Sequence, residues 1–423
     1  MASAISAAPD QQQPAPPAPP VPFEREAPAV VGELRAAVRG MIGQLSQSRG
    51  IDKPADLQRE LSIDSKLAWQ MYHLAFTANG KSLAKGASFP RLPSIRRFIE
   101  AGQHQGVSTD VIAGACAALS RLQALIATHA GDFATFESML TGLSAEGNEL
   151  VDLAQRRAAF RANSHLWGLH VETHLRCTLH HPGADRSLVD VASIRGMRDI
   201  RRLRSGAPFR LAGHRVSDGH LRSAQPQSIE ERTSDAPLGP TLLTEFCTTP
   251  TPRLDNRAEG GSVFTYLCDA PLGNTGLQTL YLSDITRGIK WASPGDQPNE
   301  HLNHVTILKP AESLVMDVLM HEDLFGPLQP EAKVFGSLDR PGEMDLQRFT
   351  EDDVLPVQLK VIRLGRGLDV LAAPQVPRYA EMVQSVCERL SWDAERFDVY
   401  RCVMEFPLLN SVVLVRFSLP DEA

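Results

Sequence analysis

His170, Glu172 and His174 alternate along HLWGLHVETHLRCTLHH. On a β-strand, alternate residues share a face, so this spacing lines up two imidazoles and a carboxylate as metal donors. His165, His180 and His181 add nitrogen donors close by in sequence. A metal-dependent enzyme built on this strand is one reading. A solvated sheet face alternating His, Glu, His, Arg and Thr is the plainer one, and no metal or cofactor is assigned. His301, His304 and the run His321-Glu322-Asp323 pose the same question further on, at the ends of expected strands.

Other chemical signatures are thin. RLGRGLDV lacks the third glycine of a phosphate loop, and the chain contains no GxxxxGK[ST], GxSxG or HExxH. The residue pattern therefore favours a non-enzyme. SIRGMRDIRRLRSGAPFRLAGHR, Ser193 to Arg215, is dense in arginine and holds one aspartate. Read as a helix over 194–204, it places Arg195, Arg198 and Arg202 on one side. They would face nucleic-acid phosphates, or bridge to acidic residues elsewhere in the chain.

LQRELSIDSKLAWQMYHLAF, Leu57 to Phe76, carries the most specific pattern. Leu57 and Leu61 share one face of a first short helix. Ser62 supplies the small residue at the turn, Ile63 plugs the corner, and Asp64 or Ser65 can cap a second helix. Leu67, Ala68 and Met71 then face inward, with Ala68 permitting close approach. The stretch LSIDSKLAWQM resembles the helix-turn-helix of bacterial DNA-binding regulators.

The resemblance implies that the second helix enters the major groove and presents Ser65, Lys66, Trp69, Gln70 and His73. Gln70 suits adenine, Lys66 suits guanine or a phosphate, and Ser65 suits a phosphate at the helix start. Asn79-Gly80 is a hairpin signal for a small wing, beside which Lys81, Lys85 and Arg91 would position the backbone. Arg96 and Arg97 lie just beyond.

These residues need elements to hold them. Eight prolines between Pro9 and Pro28 give a disordered Pro-rich leader over 1–28. Residues 29–163 read as a helical domain of six or seven helices, with Pro54 and Pro93 in first turns and Ser108 as the cap of a long helix to about His129. That long helix serves as core or as a dimer seam.

From His165 the period changes to two. Residues 164–423 read as an α+β domain, mostly antiparallel, with one embedded helix from Pro377. Trp167, Leu169 and Val171 open the apolar face of its first strand, expected from His165 and half-buried. Further strands are expected in SVFTYLCDA, TLYLSDI, HVTILK, SLVMDVLMH, VQLKVIRL, VYRCVMEF and SVVLVRFSL.

Apolar residues make up 43% and charged residues 22% of the 423, an ordinary globular balance. No apolar run near the length of a membrane span and no secretory leader stand out, so a cytoplasmic place away from membranes is expected. The six cysteines lack close pairing and read as small core hydrophobes. Residues 1–222 hold 26 Lys and Arg against 20 Asp and Glu, whereas residues 223–423 hold 17 against 30.

The expectation is a DNA-binding transcriptional regulator, homodimeric in the manner of such proteins, whose rear domain senses a small molecule, dimerises or docks a protein. The alternatives are an adaptor that never meets DNA and the metal enzyme on the His170, Glu172, His174 strand.

Overall fold

A computed structural model describes residues 21–76, 89–143, 145–185, 188–206, 209–215, 227–229, 240–259, 262–268, 271–290, 300–325, 328–336 and 351–418. The protein is α+β. It divides into two compact units, Met1–Val151 and Asp152–Ala423.

The first unit is helical: α1 (Phe23–Arg49), α2 (Pro54–Leu61), α3 (Ser65–Phe76), α4 (Leu92–His104), α5 (Thr109–His129) and α6 (Phe133–Gly142). Its core is a single cluster fed by the 3.6-residue spacing of α1, where Leu34, Val38, Met41, Ile42 and Leu45 are all buried. At Gly102 of α4, a Cβ would meet the terminal methyl of Met41 in α1, which would have to swing aside.

Helix α1 starts inside the segment expected as a disordered leader. Phe23 is the reason: its buried ring packs edge-on to Phe136 at 6.2 Å and to His129 at 5.7 Å, anchoring the first turn despite Pro28. Helix α5 is long and apolar enough to cross a membrane by length and composition, which the sequence reading had passed over. Here Ile112, Ala115, Ala118, Leu119, Leu122, Leu125 and Ile126 are buried in the bundle core.

The division between the units falls inside α7 (Ala145–Trp167), which continues past the expected strand start at His165. Gly168 ends it in the left-handed region, at φ 65°, where a Cβ would strike Arg204.

The second unit then runs β1 (Leu169–Pro182), β2 (Leu188–Arg202), β3 (Phe209–Arg215), β4 (Thr241–Leu242), β5 (Leu254–Glu259), β6 (Ser262–Leu267), β7 (Gln278–Lys290), β8 (Glu300–Thr306), β9 (Ala311–His321), β10 (Pro330–Gly336), β11 (Val361–Arg366), α8 (Tyr379–Leu390), β12 (Phe397–Glu405) and β13 (Ser411–Ser418). Seven strands form one sheet in the order β11-β12-β9-β1-β2-β7-β4, antiparallel except for β1 beside β9. Two three-stranded sheets accompany it, β10-β13-β8 and β3-β6-β5.

Both faces of the large sheet are covered at its centre. Met382, Val383 and Val386 of α8 pack with Leu175, Leu179, Val315, Leu319 and Val399. On the opposite side Val413, Val415 and Phe417 pack with Leu314, Met316, Val318 and Met320. This is why the stretch Leu314–Met320 is apolar at every position but Asp317.

It also corrects the half-buried reading of β1: His174, Thr178 and His180, expected on a solvated face, are buried. The 194–204 stretch is not a helix. It lies in β2, hydrogen-bonded on both sides to β1 and β7, with a bulge near Asp199.

Candidate nucleic-acid interface

The turn between α2 and α3 is built by one left-handed residue. Ser62 sits at φ 49° and ψ 41°, and its N–H donates to the carbonyl of Gln58. Ile63 follows as a buried plug and also donates to Gln58, at 3.3 Å. Of the two expected caps, Asp64 acts: its carboxylate accepts the Leu67 N–H at 2.8 Å and pairs with Arg97 of α4. The Leu67 amide, with Arg97 beside it, holds the Asp64 carboxyl below the usual range. The far end of α3 is tied as well, because Arg39 of α1 donates from two nitrogens to the Ala75 carbonyl, at 2.7 and 2.9 Å.

Leu57, Leu61, Leu67, Ala68 and Met71 seal the corner. On the outer side, Ser65 and Lys66 are exposed and Trp69 keeps 40% of its surface accessible. Gln70 and His73 are half-buried. The Trp69 ring leans on His73 of its own helix at 4.2 Å. The five residues thus share the outward side of α3.

Arg91, just before α4, and Arg96 on it are exposed, whereas Arg97 is committed to Asp64. Lys81, Lys85 and the Asn79-Gly80 turn lie outside the described residues.

The charge pattern sharpens when counted by unit. Residues 1–151 hold 13 Lys and Arg against 14 Asp and Glu, so the basic surplus of the front half belongs to the start of the sheet unit. Within residues 1–151, the stretch 49–104 holds nine Lys and Arg against five Asp and Glu.

Three of the four arginines of β2 are spent internally. Arg195 pairs with Asp284, Arg198 with Glu172 at 2.8 Å, and Arg202 donates to the carbonyls of Leu267 and Cys268. Arg204 caps α7 through the Leu166 carbonyl. None of these pairs is a free phosphate contact.

Of the metal donors expected on β1, His170 and Glu172 are paired with other side chains. Nε2 of His170 lies 3.4 Å from Glu312, Glu172 is held by Arg198, and burial with Arg176 nearby pulls His174 down to about 4. Glu322 and Asp323 bind Arg396, and burial drives His301 and His304 to about 4. Among the described residues, no group of three or more His, Cys, Asp or Glu side chains converges to hold a metal.

The structure also presents a feature the sequence reading missed. A cavity of about 390 Å³ opens beside Trp167, Arg202, Phe209 and Lys309. Its one legible signal was a lysine closing an otherwise apolar strand pattern, HVTILK, and that is too common to single out.

No known protein family, curated protein or solved structure matches this chain. Its own geometry must therefore carry the functional argument.

Proposed function

We propose that the protein binds double-stranded DNA by laying α3 in the major groove, and that it serves as a sequence-specific transcriptional regulator. The observation that carries this reading is the corner itself. An apolar seal and a left-handed Ser62 fix α2 against α3, while Ser65, Lys66, Trp69, Gln70 and His73 stay on the outer side. A reading head needs this division, because base edges are met by polar side chains near the start of a rigid helix. Lys66 supplies charge for guanine or phosphate, Gln70 matches adenine, and Ser65 and Arg91 serve the backbone. Lys81 and Lys85 join them as backbone contacts. A homodimer would read two half-sites about 34 Å apart, and the sheet unit supplies the sensing or docking function of such a regulator.

The competing reading, an adaptor that never meets DNA, draws on the near balance of charge in residues 1–151. Selection of the full-length protein on random-sequence duplexes, from roughly 50 to 200 mM salt, separates the two. The regulator reading expects a steep negative salt slope, enrichment of particular sequences, and loss of that enrichment in the Lys66→Ala, Gln70→Ala double variant. Retention of no duplex at low salt favours the adaptor, and the same enrichment in the variant would mean that a surface other than α3 reads the sequence.

A further inference from the structure

The cavity in the sheet unit is walled by the last turn of α7, the start of β1, the end of β2, β3 and the connection between β8 and β9. Its volume of about 390 Å³ lies in the range of small-molecule sites, and its walls are mostly apolar. Leu169 and Phe209 are buried hydrophobes of this wall, and Trp167 forms a rim with 48% of its surface accessible. Arg202 also belongs to the wall and is engaged with the carbonyls of Leu267 and Cys268.

The remaining polar side chain of the wall is Lys309, only 8% exposed and, among the described side chains, the one buried lysine. The chain relies on arginine for most of its positive charge, with eight lysines among 43 basic residues. The choice of lysine here has a chemical consequence: a guanidinium stays protonated, whereas a desolvated amine gives up its proton and offers a lone pair. The Lys309 amine sits 5.0 Å from the Trp167 ring and 5.4 Å from the Phe209 ring, and among the described residues no carboxylate meets it. Burial, with Arg210 nearby, lowers its pKa. The backbone on either side is pinned. Ile307 donates to the Ser411 carbonyl at 2.9 Å and accepts from the Asn410 N–H at 2.7 Å, and the Pro310 carbonyl accepts the Val171 N–H at 3.3 Å. The amine is therefore carried into the wall on a fixed stem.

We infer that Lys309 captures a small apolar aldehyde as a reversible imine, with the rest of the aldehyde held against Leu169, Phe209 and Trp167. A lysine desolvated in an apolar pocket beside another cation is the arrangement that activates an amine towards carbonyls. The lone pair of the neutral amine adds to the carbonyl carbon, and a proton passes from nitrogen to oxygen. A second proton, taken from water, expels that oxygen as water and leaves a protonated C=N bond. The product carries one positive charge, as the ammonium did, so the Trp167 and Phe209 faces hold it as before. Acylation by an ester would remove that charge and forfeit the ring contacts, which favours an aldehyde as the partner. Apolar walls also keep water from the C=N bond and slow its hydrolysis. The inference is independent of DNA binding, because every residue it uses belongs to the sheet unit.

The test treats the full-length protein with benzaldehyde and sodium cyanoborohydride, whose hydride converts an imine to a stable secondary amine. Peptide mass spectrometry then follows the modification of each lysine with time. The expected result is that Lys309 is modified faster than the exposed Lys53, Lys66 and Lys360 by about tenfold or more, and that this lead vanishes in urea. Glyceraldehyde, a polar aldehyde, should show no such lead. Benzyl alcohol, which has the ring and no carbonyl, should slow labelling at Lys309 and leave the exposed lysines unchanged. Labelling of Lys309 no faster than the exposed lysines would overturn the assignment and leave a side chain whose ammonium reaches water past two rings. A lead that persists in urea, an equal lead with glyceraldehyde, or no protection by benzyl alcohol would each overturn it as well.

Discussion

The arginine-rich strand β2 and the short helix α3 make opposite use of polar side chains. In β2, Arg195, Arg198 and Arg202 turn to Asp284, Glu172 and two backbone carbonyls, so a dense run of charge is consumed in holding strands together. In α3, the lone Lys66 remains exposed, and charged groups at both ends of the helix are used to fix it in place. Charge density along a chain therefore says little about charge offered to a partner. What decides is whether the fold surrounds the group with acceptors or leaves it on a rigid, outward face.

The largest effect should come from breaking the paired side of this comparison. Asp317 is completely buried and receives three hydrogen bonds from Arg401, which also donates to the carbonyls of Leu371 and Ala372. Asp317→Ala leaves the half-buried Arg401 guanidinium without its anion. It should lower the stability of the sheet unit by about 3–5 kcal/mol, measured by urea unfolding.

On the displayed side, Leu57 is 0% exposed at the corner. Leu57→Ala should cost the helical unit about 2–5 kcal/mol, whereas Lys66→Ala should change stability by less than about 0.5 kcal/mol in the same assay. Equal costs would mean that Lys66 is a structural residue.

Acidification tests the buried polar layer. His174 binds a proton near its ordinary 6.5 when unfolded but only near 4 when folded, because burial disfavours the charged ring. The unfolded chain thus gains protons first as pH falls. Stability from this group is complete above about pH 6.5, declines between about 6.5 and 4, and levels off below, with ~3 kcal/mol lost across the window. His301 has the same shift and deepens the same decline. Thermal unfolding followed across that range should show the sheet transition falling while it stays flat from pH 7 to 8.

The smallest effect concerns the turn. Ser62 holds a left-handed conformation that glycine adopts without strain. Ser62→Gly should raise the melting temperature of the helical unit modestly, by about 1 kcal/mol or less of stability.

The helical corner was legible in the sequence because its determinants are local. The spacing of Leu57, Leu61, Leu67 and Met71, the small Ser62 and the capping Asp64 all act within twenty residues. Strand positions such as SLVMDVLMH were legible from their apolar runs. The environment of β1 was not, because alternation cannot reveal that a second sheet covers the polar face; His180 is paired with Asn303 of β8, 123 residues away. The strand character of 188–202 was hidden for the same reason, since arginines that pair across strands look like a solvated helix in sequence. The cavity around Lys309 joins segments from α7 to the β8–β9 connection, and no local pattern announces such a meeting. Phe23 shows the converse, a single aromatic that extends helix α1 into a Pro-rich stretch.

Sequence-specific DNA binding by this protein requires α3 to enter the major groove. The most direct measurement is guanine-N7 methylation interference on the duplexes that the full-length protein enriches, because N7 lies in the major groove. The account predicts that methylation at a small cluster of guanines blocks binding by the wild-type protein, and that Lys66→Ala loses sensitivity at one of those positions. Binding that is indifferent to N7 methylation throughout the enriched sites would contradict it.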